Sequence, residues 1–211
     1  MSAGRHHAWR KTAAKLVSED LTGPALDIAT GTGDFAIELD RQSTVTESLG
    51  IDSTEAMIGK AKTKITALRP AKNISLLVGD SHKLPFCDNY FAAITIGFGI
   101  RNFVNLKEAM IETVRVLKPG GRVAILEIVR LEKRNLINGF FSSGFRKITP
   151  LLGAFLAQDR AAYTYLPESV DQFLTAREVS AIMEESGLRI IAHKKRALGS
   201  VTILVGEKTS N

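Results

Sequence analysis

Short apolar runs of strand length recur along the first two thirds of the chain, at residues 25–29, 49–51, 74–78, 91–96 and 123–129. Between several of them lie longer stretches, 54–68 and 106–117, whose apolar residues recur at spacings of three and four. The first spacing fits buried strands and the second fits amphipathic helices. Strand and helix in alternation leave few ways to bury both. The economical one is a mostly parallel sheet with helices packed on both faces. Lys118-Pro119-Gly120-Gly121 reads as the end of a helix and a turn into the next strand.

After Arg130 the pattern changes. Phe140, Phe141, Phe145, Leu151, Leu152, Phe155, Leu156, Tyr163 and Tyr165 fall in a stretch broken by Pro150 and Gly153, which predicts short helices lying over the sheet. Residues 176–187 predict one more amphipathic helix, and 188–192 with 201–205 a closing, antiparallel strand pair. The expected fold is α/β: a doubly wound, mostly parallel, seven-stranded sheet with a helical insert late in the chain. At about 150 residues per domain, 211 residues make one domain, 1–211, with an N-terminal helical segment at 1–20 and an insert or lid at 133–170.

Composition removes several classes. A single cysteine, Cys87, makes neither an internal disulfide nor a cysteine zinc site, and points to a reducing compartment. No run approaches the ~20 apolar residues of a membrane span. A soluble cytoplasmic chain is the expectation. The charge balance, 28 basic against 22 acidic residues, suits nucleic acid, an anionic membrane surface or a phosphorylated substrate. The basic residues are scattered, so charge alone does not choose among them.

In open α/β sheets ligands lie beyond the carboxyl ends of the strands. The first strand ends in Asp27-Ile28-Ala29-Thr30-Gly31-Thr32-Gly33-Asp34-Phe35-Ala36. Gly31 and Gly33 permit a tight turn that brings backbone N–H groups close to a polar ligand. The same residues fit a dinucleotide fingerprint, with Asp52 placed 19 residues after Gly33 as the ribose acid. Asp27, Asp34 and Asp80 argue against that reading, because carboxylates repel a pyrophosphate and suit a cationic, phosphate-free nucleoside. S-adenosylmethionine is one. His6, His7, His82 and His193 are dispersed or adjacent, so no metal site is expected, and His7 is a minor candidate for proton transfer.

These residues resemble the class I methyltransferases, and more narrowly the ubiquinone/menaquinone biosynthesis C-methyltransferases, including the demethylmenaquinone methyltransferases. The broader likeness rests on Leu26–Asp34, Gly50-Ile51-Asp52-Ser53, Gly79-Asp80 with Leu84-Pro85-Phe86, and Arg115–Arg122. The narrower one rests on Phe98-Gly99-Ile100-Arg101-Asn102, on Tyr163-Thr164-Tyr165-Leu166-Pro167-Glu168-Ser169-Val170, and on Gly4-Arg5-His6-His7-Ala8-Trp9-Arg10. The family usually carries a further N-terminal helical segment with a Tyr-Asp pair, and this sequence begins almost at the Gly4 stretch. Either the start is misplaced or the site is more open than is usual in the family. Glu127-Ile128-Val129-Arg130 also departs from the usual Glu-Phe-Ser/Thr ending of the fifth strand.

The resemblance implies S-adenosylmethionine as cofactor and assigns its contacts. Thr30, Gly31, Thr32 and Gly33 form the turn at the methionine part, with Asp27 and Thr32 near its ammonium and carboxylate. Asp52 takes the ribose hydroxyls. Ser53 and Met57 flank the adenine, Asp80 and Ser81 read its edge, and Gly97 leaves room beside the cofactor. The implied reaction is methylation of a ring carbon on a reduced polyprenylated quinone, with Arg101 and Asn102 as the catalytic pair that steadies a developing phenolate. The aromatic insert, with Arg146 and Lys147, is expected to receive the isoprenoid tail at an anionic membrane surface, by peripheral contact at its inner face. No nucleic acid is expected as a partner, and a homodimer stays open. So do two other readings: a methyltransferase of another small hydrophobic molecule, and a nucleic-acid-binding or non-catalytic module.

Overall fold

In the computed structural model, which describes residues 5–68, 73–131 and 173–209, the alternation becomes one seven-stranded sheet. The elements are α1 (Arg5–Ser18), β1 (Gly23–Ile28), α2 (Asp34–Asp40), β2 (Val45–Asp52), α3 (Glu55–Ala67), β3 (Ile74–Val78), β4 (Phe91–Gly97), α4 (Leu106–Val116), β5 (Leu117–Ile128), α5 (Ala176–Glu185), β6 (Leu188–Arg196) and β7 (Val201–Lys208). The strands lie in the order β3-β2-β1-β4-β5-β7-β6. The first five are parallel and β7 runs antiparallel to both its neighbours, as the terminal strand pair predicted. The expected insert at 133–170 lies outside the described residues.

The order reverses beside β1, which pairs with β2 on one side and β4 on the other. That is the switch point where a crevice opens at the carboxyl ends of the strands. Alternation along each strand divides the core in two. Leu26, Ile28, Ile94, Ile96, Val123 and Ile125 are buried in one cluster with Met110 of α4 and Val179 and Met183 of α5. Ala25, Ala93 and Ala124 are buried in the other with Ala13, Ala14 and Val17 of α1. Alanines on both surfaces let α1 approach the sheet closely.

Several boundaries differ from the apolar runs. Strand β2 begins at Val45, because Val45 pairs with Gly23 of β1 and Ser48 with Ile74 of β3, so polar residues are held by both neighbours. Ser48 is buried and donates to the Ala36 carbonyl at 2.9 Å. Ala29, expected to be strand, has a φ of 53° and already belongs to the turn. Strand β5 starts at Leu117, and the Lys118–Gly121 segment forms a tight loop between the paired residues Leu117 and Arg122, with Gly120 at a φ of 73°. Helix α5 opens on a capping box: Thr175 Oγ1 accepts from Glu178 N at 3.3 Å, and Glu178 Oε2 accepts from Thr175 N at 2.6 Å.

Candidate functional site

The carboxyl ends of β1, β2 and β3 are tied together by backbone groups. Thr30 N donates to the Ile51 carbonyl at 3.0 Å, and Gly79 N donates to the Asp52 carbonyl at 3.0 Å. Asp52 adds side-chain ties: its Oδ2 accepts from Gly31 N at 2.8 Å and its Oδ1 from Thr54 N at 2.9 Å. A carboxylate has about four acceptor positions, so Asp52 keeps capacity for further donors. Ser53 and Met57 stand exposed just beyond it, and Ser81 is half-buried at the end of β3. The structure thus brings Gly31, Asp52, Ser53, Met57, Asp80 and Ser81 to one edge of the sheet.

Two non-glycine residues on adjacent strand ends adopt left-handed backbone: Ala29 after β1, at a φ of 53°, and Phe98 after β4, at 57°. Such conformations cost about 1–3 kcal/mol each and collect where a site needs them. They also crowd each other's surroundings, since a Cβ on Gly99 would stand 2.7 Å from the Cβ of Ala29. Gly97 is small for a reason the sequence did not show: a Cβ there would overlap the Phe35 ring. The expected clearance for a cofactor at Gly97 is therefore first a clearance for Phe35.

Asp27 lies beneath the glycine turn. It is 1% exposed. Its Oδ2 accepts from Thr30 Oγ1 at 2.5 Å and from Ala36 N at 3.2 Å, and its Oδ1 accepts from Thr95 Oγ1 at 2.8 Å. Burial pushes its pKa up to about 7, against the opposing pull of these donors and of Arg10. Both oxygens are committed inside the protein. Expected near a ligand ammonium, Asp27 here holds Thr30 and the start of α2 from beneath the turn. Thr30 is itself buried.

Asp34 is likewise engaged. It accepts from Lys64 Nζ at 2.5 Å and from Thr32 Oγ1 at 3.2 Å. Burial acts to raise its pKa, but Lys64 and Arg10 hold it below the usual carboxylate range. The three acids of the sequence argument are thus unequal, with one buried, one paired with Lys64, and Asp80 exposed. Asp80 Oδ1 accepts from His82 N at 2.9 Å and lies 2.7 Å from His82 Nδ1, and His82 Nε2 accepts from Asn105 N at 3.2 Å. This chain ties the end of β3 to the cap of α4. His82, set aside in the sequence as a dispersed histidine, has this structural part.

Arg10 is the principal residue that sequence reasoning passed over. It is 3% exposed, with its guanidinium 5.8 Å from the centre of the Phe35 ring and 5.4 Å from that of Phe98. Its Nη1 lies 2.7 Å from His6 Nδ1. Burial lowers its pKa, while Asp34 and Asp27 work in the other direction. A cation between two rings locks α1 over the turns after β1 and β4. The signal was present in the Gly4–Arg10 motif, but the motif alone does not say which residue turns inward. His7 stacks on His6, with ring centres 4.1 Å apart.

The turn after β4 carries the proposed catalytic pair. Residues Ile100–Asn102 form a single 3-10 turn, closed by Asn102 N donating to the Gly99 carbonyl at 3.0 Å. The Asn102 side chain is exposed, whereas the Arg101 side chain is only 10% exposed. Arg101 Nη1 donates to Glu127 Oε1 at 2.7 Å. Glu127, at the end of β5, is wholly buried, and its pKa is raised by burial against the pull of Arg101 and of the Ile128, Arg101 and Ile100 N–H groups. Glu127 lies in the segment that departs from the family pattern, and sequence alone does not pair it with Arg101, 26 positions earlier. Among the described residues, no cluster of three or more His, Cys, Asp or Glu side chains is arranged to hold a metal ion.

The chain resembles known proteins along nearly its whole length. A family model described as the ubiE/COQ5 methyltransferase family matches residues 1–208. A ubiquinone/menaquinone biosynthesis C-methyltransferase of Geobacter sulfurreducens is 37% identical over 209 residues, covering 99% of this chain and 81% of that protein. A demethylmenaquinone methyltransferase of Thermotoga maritima is 36% identical over 190 residues, covering 90% of this chain and 80% of that one. Among solved structures, a SAM-dependent methyltransferase from Aquifex aeolicus superposes with a TM-score of 0.64 over 94% of this chain and 88% of its own, at 22% identity. At that identity the likeness speaks for the fold.

Proposed function

The chain belongs to the ubiE/COQ5 methyltransferase family, and we propose that it methylates a ring carbon of a reduced, polyprenylated quinone precursor, with S-adenosylmethionine as the methyl source. The observation that carries the cofactor half is the position of Asp52. Its carboxylate is anchored by Gly31 N on one oxygen and Thr54 N on the other, and keeps lone pairs for the two ribose hydroxyls. Ser53 and Met57 would flank the adenine, Asp80 and Ser81 would read its edge, and the Thr30–Gly33 turn would hold the methionine part, with Asp27 fixing that turn from below. When bound, the cofactor supplies an electrophilic methyl group on a sulfonium.

The rest is the work of the chain's own side chains. A hydroquinone carbon becomes nucleophilic as the neighbouring hydroxyl loses its proton. The protein must therefore hold the developing oxyanion and align the carbon. Arg101 and Asn102 are our candidates. Glu127 occupies one Nη of the guanidinium, which leaves further N–H donors of the fork for an oxygen. Asn102, with its exposed side chain, would orient the substrate oxygen or a water.

The relatives' names, ubiquinone/menaquinone biosynthesis C-methyltransferase and demethylmenaquinone methyltransferase, support a quinone as the substrate class. Contact with an anionic membrane remains our proposal, and the aromatic residues that would make it lie outside the described residues. No helix among the described residues is long and apolar enough to cross a membrane. Calorimetric titration with S-adenosylmethionine and with NADH tests the cofactor, and binding of NADH alone would overturn it. Mass spectrometry of the quinone pool in cells lacking and then regaining the chain tests the reaction. Demethylated species should accumulate and then clear. An unchanged quinone pool with tight cofactor binding would redirect the reading to another small hydrophobic acceptor.

A further inference from the structure

At the end of β5 two buried polar atoms have no hydrogen-bond partner among the described residues, and they are neighbours. Glu127 Oε1 is fully engaged, accepting from Arg101 Nη1 at 2.7 Å and from Ile128 N at 2.8 Å. Glu127 Oε2 is buried and has no hydrogen-bond partner among the described residues. The same holds for Thr202 Oγ1. Glu127 and Thr202 are register partners across the β5–β7 pair. Directly opposed residues project to the same face, with Cβ atoms about 4.5–5.5 Å apart. Both residues are 0% exposed. An isolated orphan oxygen in a protein interior is uncommon, and a charged one is the most costly kind. Two side by side, next to an arginine at the proposed ligand edge, form a polar site that the described residues do not complete.

Resting on the quinol reading above, we propose that Glu127 is the proton acceptor of the methyl transfer, taking the ring-hydroxyl proton on Oε2 with Thr202 Oγ1 as its second contact. The O–H bond breaks with its electron pair left on the oxygen, and the proton rests on Glu127. Arg101, held by the other carboxylate oxygen, faces the resulting negative charge with its remaining N–H groups. Once the ring carbon carries the new methyl group it gives up its own proton to water, and Glu127 returns its proton to the oxygen. The net release is one proton, and the carboxylate is regenerated. The ionisable group facing Glu127 from the turn after β4 is Arg101, β7 presents the neutral Thr202, and the N–H groups of Ile100, Arg101 and Ile128 complete the surroundings. Burial raises the affinity of Glu127 for a proton, which is what a base operating near neutral pH requires.

The test uses the full chain with S-adenosylmethionine and a reduced short-chain naphthoquinol. Turnover is measured across pH, and cofactor and quinol affinities are measured separately by calorimetry. Glu127→Gln should lower kcat by about 10²–10⁴-fold, the usual worth of a positioned base. Both affinities should stay within a few-fold, and the acidic limb of the pH–rate profile should vanish. Glu127→Asp, which keeps a carboxylate but withdraws it, should be slower than wild type and retain that limb. Thr202→Val should give a smaller loss in kcat and an unshifted limb. A Glu127→Gln chain within about three-fold of wild type, or one that is slow but keeps the wild-type limb, would show that Glu127 only props Arg101. If Glu127→Gln does not fold, the Glu127→Asp profile decides, and loss of its limb counts against the proposal. A wild-type chain that binds cofactor but methylates no reduced quinol removes the function reading and this inference together.

Discussion

Two carboxylates are buried at the carboxyl ends of parallel strands in this molecule, and they are solved differently. Asp27 on β1 receives three donors, from Thr30, Thr95 and Ala36, and neither oxygen is left over. Glu127 on β5 receives Arg101 and Ile128 N on one oxygen, while the other has no hydrogen-bond partner among the described residues and only the Ile100 and Arg101 N–H groups nearby. By strand alternation they face opposite sides of the sheet, Asp27 in line with Ala25 and Glu127 out of line with Leu126 and Ile128. The Asp27 region is complete without a ligand. Among the described residues the Glu127 region is short of one donor. A finished hydrogen-bond network rigidifies the turn above it, whereas an unfinished one marks where chemistry can enter.

The largest effect should come from breaking the complete site. Asp27→Ala strands two buried hydroxyls and a backbone N–H, so it should cost about 3–5 kcal/mol of stability by urea unfolding, at about 1–3 kcal/mol per stranded group with some hydroxyl rotation. A loss below about 1 kcal/mol would mean that the donors find other acceptors, and the contrast would fail.

The pH dependence sharpens the same point. Asp27 is raised from 3.8 to about 7 in the folded chain. Its proton therefore stabilises the fold fully below pH ~4, and that contribution is lost as pH rises to about 7. Asp27→Asn should flatten this part of the stability–pH curve. The wild-type-minus-variant difference should fall by up to roughly 4 kcal/mol across that window, at about 1.4 kcal/mol per pKa unit. A difference that does not change between pH 4 and 7 would mean an ordinary carboxylate at position 27.

On the other side, Arg101→Ala should lower turnover by about 10²–10³-fold, the usual cost of one lost oxyanion partner, with cofactor affinity unchanged. It also leaves Glu127 buried without its cation. Because burial raises the Glu127 pKa, its penalty to folding should therefore grow as pH rises and Glu127 loses its proton. Arg101→Lys keeps the charge but loses the planar fork, and should recover only part of the rate. Equal loss of cofactor binding would make the residue structural.

Asp52→Ala should weaken cofactor binding by about 1–3 kcal/mol, measured by calorimetry. Because Asp52 also holds Gly31 N and Thr54 N, some loss of stability should accompany it. The smallest effect is a control remote from both carboxylates. Thr175→Ala removes the capping box of α5 and should cost about 1 kcal/mol, seen as a lower unfolding midpoint. Cofactor affinity should not move.

Much was legible before any coordinates. Alternation of strand-length runs with helical spacing predicted a parallel sheet, because a strand buried on both faces must be apolar throughout and a helix packed on it must be apolar on one side. The glycine turn of Gly31 and Gly33, with Asp52 at the end of the second strand, pointed to the proposed ligand edge through local geometry alone. These are properties of short segments, and short segments carry them in their residue order. What the order could not show is pairing between distant segments. Strand β2 reaches back past polar Ser48 to Val45 because β1 pairs with both and β3 pairs with Ser48, whatever the side chains prefer. Gly97 is small because Phe35, 62 positions earlier, lies against it. Arg10 turns inward only because α1 crosses the sheet where the Phe35 and Phe98 rings can receive it. Asp27 and Glu127 read alike in sequence, as acids at the end of an apolar run. Tertiary structure alone decided their difference, because the donors that satisfy one and spare the other arrive from the neighbouring strands and turns, and burial then makes each missing or present partner count.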